Sequence, residues 1–243
     1  MDVKDFLTTY PNFDSSFENN IFHLKEFNNE RLTYETTTTE DRWRHQKVMA
    51  RFLSPHTPYT SLLMVHEVGT GKTCAAFAIA EANKGSMRKT IFLSPSQDLN
   101  RQHKRELVTK CFPDEYPEQR KRVMDSKNIY NSHLPYYTFT TPQTLGNIVK
   151  NISSHEIQQQ YSNTVFIIDE VHKIKPRENI KDKLTQIKKL STHLLTMSST
   201  TKAEKNAIYS VRKKIEDLRK KTVQTYTQLQ RIFSIARNIK IVL

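Results

Sequence analysis

Two of the four glycines in this 243-residue chain, Gly69 and Gly71, lie in the run His66-Glu67-Val68-Gly69-Thr70-Gly71-Lys72-Thr73. A loop of that composition can enclose a polyphosphate. Glycine has no Cβ, so its backbone approaches phosphate oxygens closely and tolerates positive φ. The loop N–H groups and the positive end of a following helix supply the neutralising dipoles. Lys72 is spaced to reach the β- and γ-phosphates of ATP, and Thr73 to hold Mg2+ through its hydroxyl. A second constellation lies in Thr164-Val165-Phe166-Ile167-Ile168-Asp169-Glu170-Val171-His172, with Asp169 97 residues beyond Lys72. Asp169, at the end of an apolar strand, can hold Mg2+ through water, and Glu170 can orient or deprotonate an attacking water. The two motifs together are the machinery expected of ATP hydrolysis.

Such side chains need elements that hold them. Leu62-Leu63-Met64-Val65 reads as a strand entering the phosphate loop, and Cys74 to Ala82 as a helix leaving it. The β-branched and aromatic run at 164–168 reads as a buried parallel strand. About 160 residues suffice for one buried core, and 36% hydrophobic residues can build it. The two cysteines, Cys74 and Cys111, have no metal-ligand spacing and are expected to be reduced thiols. No apolar run approaches the roughly 18 residues of a membrane span, and the N-terminus has no signal-peptide pattern. The expectation is a soluble protein without membrane contact, cytosolic, nuclear or packaged in a particle.

Asp169-Glu170-Val171-His172 resembles the DExH-type box of superfamily 2 helicases. His45-Gln46, Ser54-Pro55-His56-Thr57-Pro58-Tyr59 and His66 are similar to the region around the phosphate loop in helicase-like ATPases of large DNA viruses. That group includes nucleoside triphosphatase I and the small subunit of the poxvirus early transcription factor. The resemblance implies a three-layer α/β RecA-like domain around a parallel sheet. It also implies an adenine contact for Gln46, a nucleotide-binding role for the loop from His66 through Glu67, Val68 and Thr70 to Thr73, and His66 as the family's own replacement for glycine. Ser94-Pro95 with Gln102, and Thr140-Thr141, are similar to the family segments that grip a DNA or RNA backbone. The element coupling hydrolysis to nucleic acid would fall at 193–201, through Ser198, Ser199 and Thr200, although serine and threonine stand where alanine or glycine and proline are usual.

The resemblance covers roughly residues 41–201, preceded by a polar lead-in over 1–40. Only 42 residues follow Thr201, too few for a second RecA-like lobe, which is expected to come from elsewhere or from a transcription-complex partner. Residues 1–180 carry 23 Lys/Arg against 21 Asp/Glu, whereas 181–243 carry 15 against 4. Residues 202–243 therefore read as a basic helical tail suited to a phosphate backbone. Its apolar residues Ile208, Val211, Ile215, Leu218, Leu229, Ile232, Ala236, Ile239 and Leu243 follow a heptad-like seam. The alternative to an ATPase lobe is a non-catalytic scaffold that retains the nucleotide fold.

Overall fold

The computed structural model describes residues 10–29, 41–65, 70–126, 134–174, 185, 188–194, 206, 208–215 and 225–243. Five strands form one sheet: β1 (Ser61–Leu62), β2 (Lys89–Leu93), β3 (Tyr137–Thr140), β4 (Thr164–Ile168) and β5 (Ile239–Val242). Their order is β1-β5-β4-β2-β3, with every neighbouring pair parallel. Strands covered on both faces must be apolar throughout. All five residues of β4 are buried accordingly, as are four of the five in β2. Leu93 is in register with Ile168 on one side and Thr140 on the other. Ser94 and Asp169 consequently leave neighbouring strands side by side, as the RecA-like arrangement requires.

The chain divides into two compact units. The first comprises Met1–Thr140, Ser162–Asp169 and Asn238–Leu243, and it contains the sheet. Its described helices are α1 (Phe17–Ile21), α2 (Lys25–Asn28), α3 (Asp41–Phe52), α4 (Lys72–Ala82), α5 (Gln97–Glu106) and α6 (Pro117–Ser126). A π-helical turn over Leu107–Cys111 continues α5. The alanine-rich α4 buries Ala75, Ala76, Phe77, Ile79 and Ala80. The Phe77 ring meets Phe92 of β2 at 5.2 Å and Tyr137 of β3 at 5.9 Å. Ile21 and Phe27, within the polar N-terminal stretch, belong to the same core.

The second unit comprises Thr141–Tyr161 and Glu170–Arg237. It contains α7 (Pro142–Val149), α8 (Ser154–Tyr161) and α9 (Thr225–Ile235). Leu229 and Ile232 of α9 are buried. Arg231 donates to the carbonyls of Val149, the last residue of α7, and Ile152, just beyond it, at 3.0 and 2.8 Å.

Three expectations are corrected. Of the heptad seam, Ile208, Val211 and Ile215 lie in one described helical stretch and Leu229 and Ile232 in α9, whereas Leu218 lies outside the described residues and Ile239–Val242 is a strand, inserted between β1 and β4. Asn238 takes φ 51°, a left-handed conformation that diverts the chain, and β-branched Ile239, Ile241 and Val242 then favour extension. Buried Lys240 donates to the carbonyls of Ser54 and Tyr59 at 2.9 and 2.8 Å, so this basic residue faces protein. The basic stretch is thus no appended tail: residues 171–238 carry 17 Lys/Arg against 5 Asp/Glu and connect two neighbouring strands, β4 and β5. Second, His193 and Leu194, which open the segment expected to carry the coupling element, are helical, while Ser198, Ser199 and Thr200 lie outside the described residues. Third, Cys74 and Cys111 are joined by a disulfide that links α4 to the π-helical turn. No helix among the described residues is long and apolar enough to cross a membrane.

Candidate functional site

The site grows from the start of α4. Gly71 is its N-cap at φ 84°, and its carbonyl accepts the first helical hydrogen bond, from Ala75 N at 3.0 Å. Gln46 of α3 is 5% exposed and directs its Nε2 at that same carbonyl, 3.5 Å away. A Cβ on Gly71 would lie 2.9 Å from this nitrogen. The other end of the amide, Oε1, is buried without a hydrogen-bond partner. A buried acceptor left unmatched is unusual, and a ligand N–H such as the adenine amino group would satisfy it. His66, Glu67, Val68 and Gly69 lie outside the described residues, whereas Thr70 is exposed.

Lys72 opens α4 and holds its Nζ 3.6 Å from Asp169 Oδ1, with the two side chains 40% and 14% exposed. This separation is longer than a tight charge-assisted hydrogen bond, leaving the ammonium able to turn to another anion. Thr73 follows in the first turn, half-buried. Asp169 is fixed through its own backbone, since its N–H donates to Leu93 O at 2.9 Å and so continues the ladder between β4 and β2. Its second oxygen, Oδ2, lies 3.8 Å from Nε2 of His103, whose Nδ1 meets Ser94 Oγ at 2.9 Å. Burial lowers the His103 pKa, opposed by Asp169 and Glu106 and reinforced by Lys72, so the imidazole is neutral near pH 7.

Glu170, in the second unit, adopts φ 55°. A residue with a full side chain rarely occupies that left-handed region. Its Oε2 lies 3.2 Å from His172 Nδ1 and 3.9 Å from Lys173 Nζ.

The residues expected to touch nucleic acid differ in availability. Ser94 is completely buried, its hydroxyl committed to His103 and its N–H donating to Thr140 O at 3.2 Å. The Ser94 hydroxyl is thus an internal partner of His103, shielded from solvent. Pro95 and Thr140 are half-buried, and Gln102 is exposed with its amide donating to Glu106 at 3.2 Å. Thr141, in the second unit, accepts from Thr144 N at 3.1 Å and caps α7.

Sequence reasoning missed His103. Its signal was present: buried Asn100, His103 and Leu107 recur at helical spacing, and a polar pair on an inward-facing stripe needs internal partners.

Among the described residues no three His, Cys, Asp or Glu side chains cluster as a self-sufficient metal cage. The donor set of Thr73 and Asp169 instead fits Mg2+, which commonly takes one or two protein oxygens and completes its shell with water and phosphate.

Residues 41–203 match the family described as "Type III restriction enzyme, res subunit". "Putative helicase 087L" of Invertebrate iridescent virus 3 is 31% identical over 191 residues, 71% of this chain and 20% of the relative. "Putative helicase 009L" of Frog virus 3 is 35% identical, covering 54% of this chain and 15% of the relative. "Putative ATP-dependent RNA helicase R563" of Acanthamoeba polyphaga mimivirus is 31% identical, over 52% and 23%. The chain thus spans about a fifth of the length of these curated relatives. No solved structure matches it.

Proposed function

We propose that this chain, which belongs to the type III restriction enzyme res-subunit family, is the ATP-binding lobe of a nucleic-acid-dependent ATPase of the superfamily 2 helicase type, of viral origin. The observation carrying this reading is the convergence of Gly71, Lys72 and Asp169 at the sheet's carboxyl edge, with Lys72 Nζ 3.6 Å from the Asp169 carboxylate.

Each residue has a chemical task. The left-handed Gly71 turns the loop so that the first N–H groups of α4 face an incoming anion. Lys72 exchanges its looser contact with Asp169 for the β- and γ-phosphates of ATP. Gln46, fixed against the Gly71 carbonyl, offers its unmatched Oε1 to the adenine amino group. Thr73 and Asp169 would hold Mg2+, which when bound neutralises phosphate charge and favours in-line transfer. Glu170 orients the attacking water and accepts its proton.

Full turnover requires groups that a single lobe does not supply. An arginine finger is worth about 10³–10⁵ in rate in phosphoryl-transfer systems. The expected partner is therefore a second RecA-like lobe, in the same polypeptide or a transcription-complex subunit. Nucleic acid would meet half-buried Pro95 and Thr140 and exposed Gln102, the basic residues of 171–238 would attract its phosphates, and Ser198–Thr200 would couple binding to hydrolysis.

Nucleotide affinity measured with and without single- and double-stranded DNA and RNA tests this function. Binding linkage is reciprocal and typically amounts to about 5–150-fold. At least one of the four nucleic acids should shift MgATP affinity by about 5-fold or more. MgATP binding that none of them alters would reduce the chain to a nucleotide-binding scaffold.

A further inference from the structure

The Asp169 carboxylate is flanked on two sides. Oδ1 faces Lys72 at 3.6 Å, and Oδ2 faces His103 Nε2 at 3.8 Å. If Lys72 turns to the phosphates of a bound nucleotide, its hold on Oδ1 weakens and the contact at Oδ2 remains. His103 is built for that task. It is 6% exposed, its ring centroid lies 4.9 Å from that of Phe92, and Ser94 fixes its Nδ1 at 2.9 Å.

We propose that His103 is a positioning residue of the nucleotide site: held by Ser94, its Nε2–H aims at Asp169 Oδ2 and keeps that carboxylate oriented to receive Mg2+. The inference rests on the nucleotide-site reading above, and it assigns His103 no direct contact with the nucleotide.

The tautomer follows from the surroundings. A neutral imidazole has one N–H and one lone pair. With the proton on Nε2, the ring offers a donor toward the anionic Asp169 oxygen, and Nδ1 accepts from the buried Ser94 hydroxyl. With the proton on Nδ1, a lone pair would face the carboxylate. Electrostatics selects the first arrangement. The alignment of serine, histidine and aspartate is not a hydrolase triad, because Ser94 is fully buried and meets the opposite ring nitrogen from the one a nucleophilic serine uses. The direction of action runs from Ser94 through the ring to the cation-binding oxygen.

The test separates a positioning role from simple packing. His103→Phe retains a ring beside Phe92 but removes both polar contacts. His103→Gln retains a possible N–H donor toward Asp169, and Ser94→Ala removes only the outer hydrogen bond. ADP affinity is measured calorimetrically in excess Mg2+ and again in EDTA, alongside thermal unfolding. Loss of a partner that orients a metal ligand typically lowers metal affinity by about 10–100-fold.

For His103→Phe, the gain in ADP affinity conferred by Mg2+ should fall by about 10-fold, while affinity in EDTA changes by less than about 2-fold. His103→Gln should recover part of the gain, and Ser94→Ala should lose less than His103→Phe. An undiminished Mg2+ gain in His103→Phe overturns the inference and leaves the nucleotide site standing. Equal losses with and without Mg2+, accompanied by a lowered Tm, also overturn it by making His103 a packing residue. If His103→Phe does not fold, the Ser94→Ala and His103→Gln gains decide, and wild-type values in both overturn the inference. A wild-type protein whose ADP affinity ignores Mg2+ instead refutes Asp169 as a cation ligand, and the inference falls with that reading.

Discussion

Replacing Gly71 by alanine perturbs both stability and the proposed ligand site, and the two effects can be resolved. At φ 84°, an L-residue places its Cβ against its own backbone, at a cost of roughly 1–2 kcal/mol. The new Cβ would also lie 2.9 Å from Gln46 Nε2, closer than ordinary contact permits. Gln46 is 5% exposed, so its displacement disturbs neighbours rather than merely moving into water. For a chain of this size, each kcal/mol corresponds to about 2–4 °C, placing the backbone part of the Tm loss at about 2–8 °C. Thermal unfolding of Gly71→Ala, Gln46→Ala and the double variant separates the terms. The alanine penalty should shrink in the Gln46→Ala background by the steric part and retain the backbone part. ATP affinity should also fall in Gly71→Ala because the Gln46 amide proposed to meet adenine moves. An unchanged Tm would refute the left-handed assignment of Gly71, and an identical penalty in both backgrounds would refute the clash with Gln46.

The Cys74–Cys111 disulfide spans a sequence separation of 37, for which the loop-entropy relation gives roughly 4 kcal/mol of stabilisation; reduction or a paired Cys→Ser variant should therefore lower urea resistance, and identical midpoints would refute it. Glu81 accepts hydrogen bonds from Tyr116 and Tyr137 at 2.6 and 2.5 Å, and burial is the main cause raising both phenol pKa values above the ordinary 10.0. The unfolded phenols ionise first, so this contribution is present below pH 10 and is lost as pH rises above it. Urea titrations should show stability falling above pH 10 with a shallower slope in Tyr116→Phe than in wild type. Exposed Arg212, Lys213 and Lys214 should contribute to nucleic-acid binding, so replacing all three by glutamine should reduce the log-affinity against log-salt slope by about 2–3, whereas an unchanged slope would make them a solvated surface.

The motifs of the proposed nucleotide site are legible in the sequence because their chemistry is local. Gly69 through Thr73 must be contiguous to wrap phosphate, and an uninterrupted apolar run over 164–168 announces a strand buried on both faces. The Ser94–His103–Asp169 connection was less accessible because three short sequence signals meet only after β2 and β4 align. Asn100 and His103 carried a faint indication, since polar residues occupied an inward helical stripe. The final strand was obscured by a genuine coincidence of periods: Ile232, Ala236, Ile239 and Leu243 satisfy three- and four-residue spacing as readily as Ile239–Val242 satisfies extension. Asn238 resolves that ambiguity through its left-handed backbone, a conformation that spacing alone does not encode. Likewise, Cys74 and Cys111 are far apart in sequence, and only the packing of α4 against the π-helical turn reveals their pairing.

The most direct test of the proposed function is calorimetric titration of MgATP into wild-type protein and Lys72→Ala. Removing this ammonium eliminates a charge-assisted contact worth about 1.5–3 kcal/mol, so affinity should fall by at least about 10-fold, while thermal unfolding without nucleotide should change little because Lys72 is 40% exposed and only loosely paired with Asp169. Saturable MgATP binding by wild type with this loss in the variant is the predicted result. Equal affinities, or no saturable binding by wild type, would contradict the assignment of this lobe as an ATP site.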